Sequence, residues 1–180
     1  MMLSLLYFTN PAHAASLTLV RSCHLVDGSQ MTLLAEATAD GNRLHLQINE
    51  HTEKAFTDMP DADFVGTIVL VACIDHSLVF AINYGSPYLK GAVVRKNPVS
   101  HRLERIDFAE KTLPRWLYVN SQEMQLIIPN IGYEVQSKYI VYQFSAPDGQ
   151  TTEPLATDTL PSRRGFKKLA ITGTSPTSRP

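Results

Sequence analysis

The stretch from Phe64 to Ile74 limits the fold more than any other part of the chain. Read with a period of two, both of its faces are apolar. Val65, Thr67, Val69, Val71 and Cys73 form one set; Ile68, Leu70, Ala72 and Ile74 form the other. A strand of this kind has no face to give to water and needs cover on both sides. It is far too short for a membrane helix, and no apolar run in the sequence reaches the roughly 18 residues that spanning a bilayer requires. The segment therefore reads as the central strand of a layered β protein.

The flanking segments support this. Leu17 to Val26 and Met31 to Thr38 are strand-like, and Arg43 to Asn49 alternates cleanly, with Leu44, Leu46 and Ile48 on one face and Arg43, His45, Gln47 and Asn49 on the other. The separators Asp27-Gly28-Ser29 and Asp40-Gly41-Asn42 are turn chemistry, since Gly supplies positive φ and Asp bonds its local backbone. Three strands joined this way form an antiparallel meander. Glu50 to Ala62 is polar, contains Pro60 and reads as a long loop. Asp75-His76 links the central strand to a hairpin partner, Leu78 to Tyr84. Ala92 to Lys96, Arg115 to Asn120, Glu123 to Ile128 and Ser137 to Ser145 supply further strands. His101 to Leu113 fits a short helix marked by Leu103, Ile106, Ala109 and Leu113 as well as it fits a strand over Arg102 to Phe108. The fold class is all-β and mostly antiparallel, a β-sandwich or a β-barrel, with at most one short helix near 101–113.

The ends differ in character. Met1 to Phe8 is apolar apart from Ser4, Asn10-Pro11 breaks the run, and Ala12-His13-Ala14 places small residues where a signal peptidase accepts them. Residues 1–14 read as a signal-peptide remnant cleaved after Ala14, although no Lys or Arg precedes the apolar run. The β domain is expected over 15–146. Residues 147–180, rich in Ser, Thr and Pro, read as a flexible tail, because few large apolar groups offset the entropy of ordering; Leu169 to Thr172 offers one edge strand. An exported chain with two cysteines most simply forms one disulfide, here Cys23–Cys73 between the first strand and the central one.

The composition narrows function mainly by exclusion. With 16 basic and 17 acidic residues the net charge is −1, without the basic excess of a nucleic-acid binder. Asp75-His76-Ser77 has the residue types of a catalytic triad, but neighbours in a tight turn diverge, and it reads as a polar hairpin turn. The histidines show no zinc spacing, and Asp58, Asp61 and Asp63 lack the residue order of a calcium loop, so no metal or cofactor is expected. Trp116 and Tyr118 share a strand face and are expected to pack rather than to stack on a sugar. Arg163-Arg164-Gly165-Phe166-Lys167-Lys168 gathers four cations and an aromatic, the chemistry of contact with anionic lipid or another acidic surface, although such charges on a tail are usually just solvated.

The segment Gly85 to Gly91 brackets Tyr88, Leu89 and Lys90 between glycines, and a second loop carries His101 and Arg102. Tyr88 as an aromatic anchor, with Leu89, Lys90, Arg95, His101 and Arg102 around it, forms the candidate interaction surface. The function expected from this is an exported, periplasmic or secreted, non-enzymatic binding protein that recognises a protein partner as an inhibitor, immunity protein or envelope-assembly factor. One alternative is an envelope hydrolase or glycan-processing enzyme gathering groups such as His24, Asp75 and Glu104. Another is a structural or adhesive subunit that accepts a donated strand.

Overall fold

The computed structural model describes residues 16–59, 61–85, 87–132 and 135–173. The expected signal segment, with its cleavage point after Ala14, lies outside the described residues. Fourteen strands and no helix are present among the described residues. The first sheet contains β1 (Leu17–His24), β2 (Gln30–Thr38), β3 (Gly41–Ile48), β4 (His51–Lys54), β5 (Val65–Ile74), β6 (Ser77–Asn83), β7 (Leu89–Lys96) and β8 (Leu103–Glu110). The second contains β9 (Trp116–Val119), β10 (Glu123–Pro129), β11 (Tyr139–Ser145), β12 (Gln150–Thr151), β13 (Leu155–Thr157) and β14 (Lys167–Ala170). Every pairing is antiparallel. Neither sheet closes on itself, so the layered alternative holds and the barrel does not.

The first sheet folds over itself, and this gives β5–β8 the double cover that the sequence of β5 demands. Strands β3 and β5 share only two rungs, Asn42↔Gly66 and Arg43↔Val65. Glycines make that crossing possible. A Cβ on Gly41 would lie 2.7 Å from the Gly66 carbonyl oxygen, and one on Gly66 would lie 2.0 Å from the Asn83 carbonyl oxygen. Beyond the crossing, Met31, Leu33, Leu44 and Leu46 pack on Val71, Leu78, Phe80 and Val94 in one core. The opposite face of the same strands presents Leu70, Val79, Val93, Ile106 and Phe108 to Leu117, Met124, Leu126 and Phe144 of the second sheet. A bulge between Ile68 and Leu70 shifts the alternation, placing Ile68 in the first core and Leu70 in the second.

The disulfide joins Cys23 at the end of β1 to Cys73 near the end of β5, with Cα atoms 5.6 Å apart. It fastens the edge strand of the first sheet across the first core. Asp75 and His76 both have positive φ, 45° and 62°, and form the two-residue turn of the β5–β6 hairpin. Ser77 faces inward while Asp75 and His76 are exposed, so the three residues do not converge.

One open alternative is decided and two expectations change. Residues 101–113 contain strand β8 and no helix; the alternation of buried Glu104, Ile106 and Phe108 with more exposed Arg105, Asp107 and Ala109 is that of a sheet. The polar loop 50–62 begins with β4, an exposed edge strand paired to β3. The ordered fold also continues past residue 146. Strands β12, β13 and β14 belong to the second sheet, Leu169 and Ile171 pack into the second core, and Leu160 and Phe166 pack on its outer side. Four apolar side chains of this region are thus used, while Leu155 stays exposed, and edge-strand pairing supplies the rest of its anchoring. The stretch 174–180 lies outside the described residues.

Candidate functional site

The predicted interaction residues do not form one surface. Tyr88 and Leu89 lie at the start of β7, and His101 and Arg102 lie beyond its end, in the turn to β8. The β7–β8 ladder runs from Leu89↔Glu110 to Lys96↔Leu103, so the two groups are separated by the length of a strand, roughly 24 Å. Lys90 and Arg95 are not rim charges. Lys90 is 3% exposed, forms an ion pair with Asp58, and stands 5.9 and 5.3 Å from the Phe56 and Phe64 ring centroids. Arg95 is 5% exposed and paired with Glu104 at 2.6 Å. Both are structural cations that hold loops onto the sheet. His101 and Arg102 are exposed; the His101 amide donates to the Asn97 carbonyl as part of the turn.

Tyr88 does line a cleft. It has a volume of about 180 Å³ and opens between the β7–β8 ladder end and the connection from β10 to β11. Glu110, Lys111 and Thr112 form one wall, Pro129, Asn130, Ile131 and Val135 a second, and Ile140, Pro154 and Ala156 a third. Local hydrogen bonds explain its shape. The Asn130 side-chain amide donates to the carbonyls of Val135 and Ser137 at 2.8 and 2.6 Å, and its Oδ1 accepts from the Gly132 amide at 3.1 Å. One asparagine therefore curls the connection into a wall. The Thr112 hydroxyl donates to the Pro129 carbonyl and ties that wall to β8.

The chemistry of the cleft is mixed. The Lys111 ammonium stands 5.0 Å from the Tyr88 ring centroid, a cation–π contact. Tyr142 donates its hydroxyl to Glu110 Oε1 at 2.8 Å. Desolvation raises the Glu110 carboxyl above its ordinary value despite that hydrogen bond, and desolvation followed by the hydrogen bond to Glu110 raises the Tyr142 phenol. Ile131 and Val135 on the rim are 51% and 40% exposed. An aromatic ring, an exposed aliphatic rim and a few oriented polar groups form the composition of a recognition site.

A second concavity, about 210 Å³, sits at the opposite end of β7 among Asp75, His76, Arg95, Lys96 and Lys167. Its cations are committed within the fold: Lys96 to Asp27 and Lys167 to Asp75, each at 2.5 Å, and Arg95 to Glu104. The groups named for a hydrolase are likewise not assembled. Glu104 is buried beneath Arg95, and Asp75 is paired with Lys167. The acidic loop turns Asp58 to Lys90 and Asp63 to Arg43, and no group of three His, Cys, Asp or Glu among the described residues is arranged to hold a metal ion.

Sequence reading found Tyr88 but not Glu110, Lys111, Asn130, Ile131 or Val135. Their common address depends on strand register, and only the adjacency of Glu110 and Lys111 was visible in the chain. No protein-family model, curated protein or solved structure matches the chain.

Proposed function

We propose that the chain is an exported binding protein that recognises a protein partner through the Tyr88 cleft. The observation that carries this reading is the cleft's composition: a half-buried tyrosine under a lysine, beside two exposed aliphatic side chains on a wall shaped by Asn130. Tyrosine gives large contact area for few rotatable bonds, and its pairing with Lys111 presets the ring. An aliphatic or aromatic side chain of the partner fills the cleft, and the polar groups fix its orientation. The disulfide supports an oxidising compartment, as export requires.

The test is comparative capture from an envelope extract with wild type, Tyr88→Ala and Ile131→Asp, followed by titration with the purified partner. The reading expects a partner retained by the wild type and bound at least tenfold more weakly by both variants. Retention by both with unchanged affinity rejects the cleft.

One observation favours a second reading, an acid-assisted hydrolase. Glu110 has a raised carboxyl value within a concave site. This reading has less support, because Tyr142 already occupies one carboxyl oxygen and the neighbouring Thr112 hydroxyl is committed to the Pro129 carbonyl.

A further inference from the structure

The outer face of the second sheet carries a different chemistry from the cleft. On this side Tyr118 is fully buried beneath Phe166, and Trp116 and Tyr139 are half-buried against the same cluster; the Trp116–Tyr139 and Tyr118–Phe166 ring centroids are 6.0 and 6.4 Å apart. The register Lys168↔Tyr118 sets β14 beside β9 and brings its cation to these rings. The Lys168 ammonium lies 4.8 Å from the Trp116 centroid, and the Arg115 guanidinium lies 4.7 Å from the same centroid. Desolvation, followed by the charges of Arg163 and Arg115, holds the Lys168 ammonium below the ordinary lysine value. Arg164 follows Arg163 in the turn closed by the Phe166 amide donating to the Arg163 carbonyl, and both arginines are exposed.

Six of the cations on the strands are neutralised within the fold. Arg43, Lys90, Arg95, Lys96, Arg105 and Lys167 each pair with a carboxylate. Among the described residues, Arg115, Arg163, Arg164 and Lys168 make no ion pair. Like charges gathered without ion pairs repel one another, and that repulsion is relieved by an anionic surface. The overall charge of −1 supplies no general attraction, so the effect is confined to this face.

We infer that this face docks on a membrane surface through the phosphates of anionic phospholipids, with Arg115, Arg163, Arg164 and Lys168 as the contacting cations. The four are spread over the residue that leads into β9, strand β14 and the turn before β14, as a plane of headgroups requires. Trp116 stands among them as the amphipathic ring that favours the headgroup level. A stacked sugar is disfavoured because two cations already stand over the indole. The inference does not rest on the Tyr88 cleft.

Co-sedimentation of the full chain with vesicles tests it. Phosphatidylcholine alone is compared with phosphatidylcholine containing phosphatidylglycerol as the minor lipid. Binding is expected only with the anionic lipid and weakens as salt rises. Each exposed arginine removed, in Arg163→Ala and Arg164→Ala, weakens it roughly fivefold, and the double variant multiplies the two losses. Both side chains are exposed, so an unchanged melting temperature separates these losses from misfolding. Inorganic phosphate at matched ionic strength leaves vesicle binding intact. Four results overturn the inference: equal binding to neutral vesicles, binding indifferent to the double variant, displacement by phosphate alone, or binding of polyglutamate without any vesicle binding.

Discussion

Glu104 is where a single substitution tests the packing of the central layer against the second sheet. It is 2% exposed, and so are its partners nearly: Arg95 at 5% and Asn97 at 1%. Glu104 Oε2 accepts from Arg95 Nε and Nη2 at 2.7 and 2.6 Å, and Oε1 accepts from the Asn97 amide at 2.7 Å. Arg95 and Asn97 then reach the β9–β10 turn, donating to the carbonyls of Asn120, Glu123 and Ser121. In Glu104→Ala the guanidinium stays buried with only carbonyl partners, and the Asn97 amide loses its anion. Breaking a buried pair from one side costs about 3–5 kcal/mol. For a chain of this size that is a fall in melting temperature of roughly 6–20 °C. Thermal and urea denaturation followed by circular dichroism measure it. The double variant Arg95→Met/Glu104→Leu removes both charges and keeps the volume, and it recovers most of the loss. A cost for Glu104→Ala below about 1 kcal/mol, the level of an exposed pair, refutes the view that this network joins the two sheets.

Other expectations follow from the same structure. Cys23→Ser/Cys73→Ser opens a link between residues 50 apart, and chain entropy puts the loss near 4 kcal/mol, read as a lower urea midpoint. An unchanged midpoint contradicts the stapling role. Asp58→Ala, which leaves the buried Lys90 ammonium without its carboxylate, destabilises more than Lys90→Met, which leaves a half-buried carboxylate able to reach water. The opposite order in denaturation midpoints refutes the assignment of Lys90 as a structural cation. Glu110 has a raised folded value, so the folded state holds its proton more tightly than the unfolded one does. Its contribution therefore falls as pH rises from the ordinary 4.5 through the raised value. Glu110→Gln flattens that part of the stability–pH profile; an identical profile in the variant rules out the desolvated carboxyl.

The sequence read most clearly where burial dictated residue type. The two apolar faces of 64–74 required a doubly covered strand, and β5 lies between two cores. The Asp-Gly turns announced the β1–β2–β3 meander, and the two cysteines found each other. Edge strands were illegible because they need little apolar surface. β4 is polar and exposed along its whole length, and β12–β14 are held by pairing and a few anchors such as Leu169. The site was half legible for a different reason. Tyr88 could be singled out by residue type, but Glu110 is its neighbour only through the Leu89↔Glu110 rung, and Ile131 only through the Asn130 turn. Lys90 and Arg95 misled because cations are usually exposed. Here β7 runs through the middle of the layer, so its charges are buried and paired.

The most direct test of the Tyr88 cleft is chemical-shift mapping of the isotope-labelled chain titrated with its captured partner. The account predicts that the amides of Tyr88, Lys111, Ile131 and Ala156 move together and saturate with one affinity, and that Tyr88→Ala abolishes the shifts. Shifts confined to the other end of β7, around His76, Lys96 and His101, would contradict it.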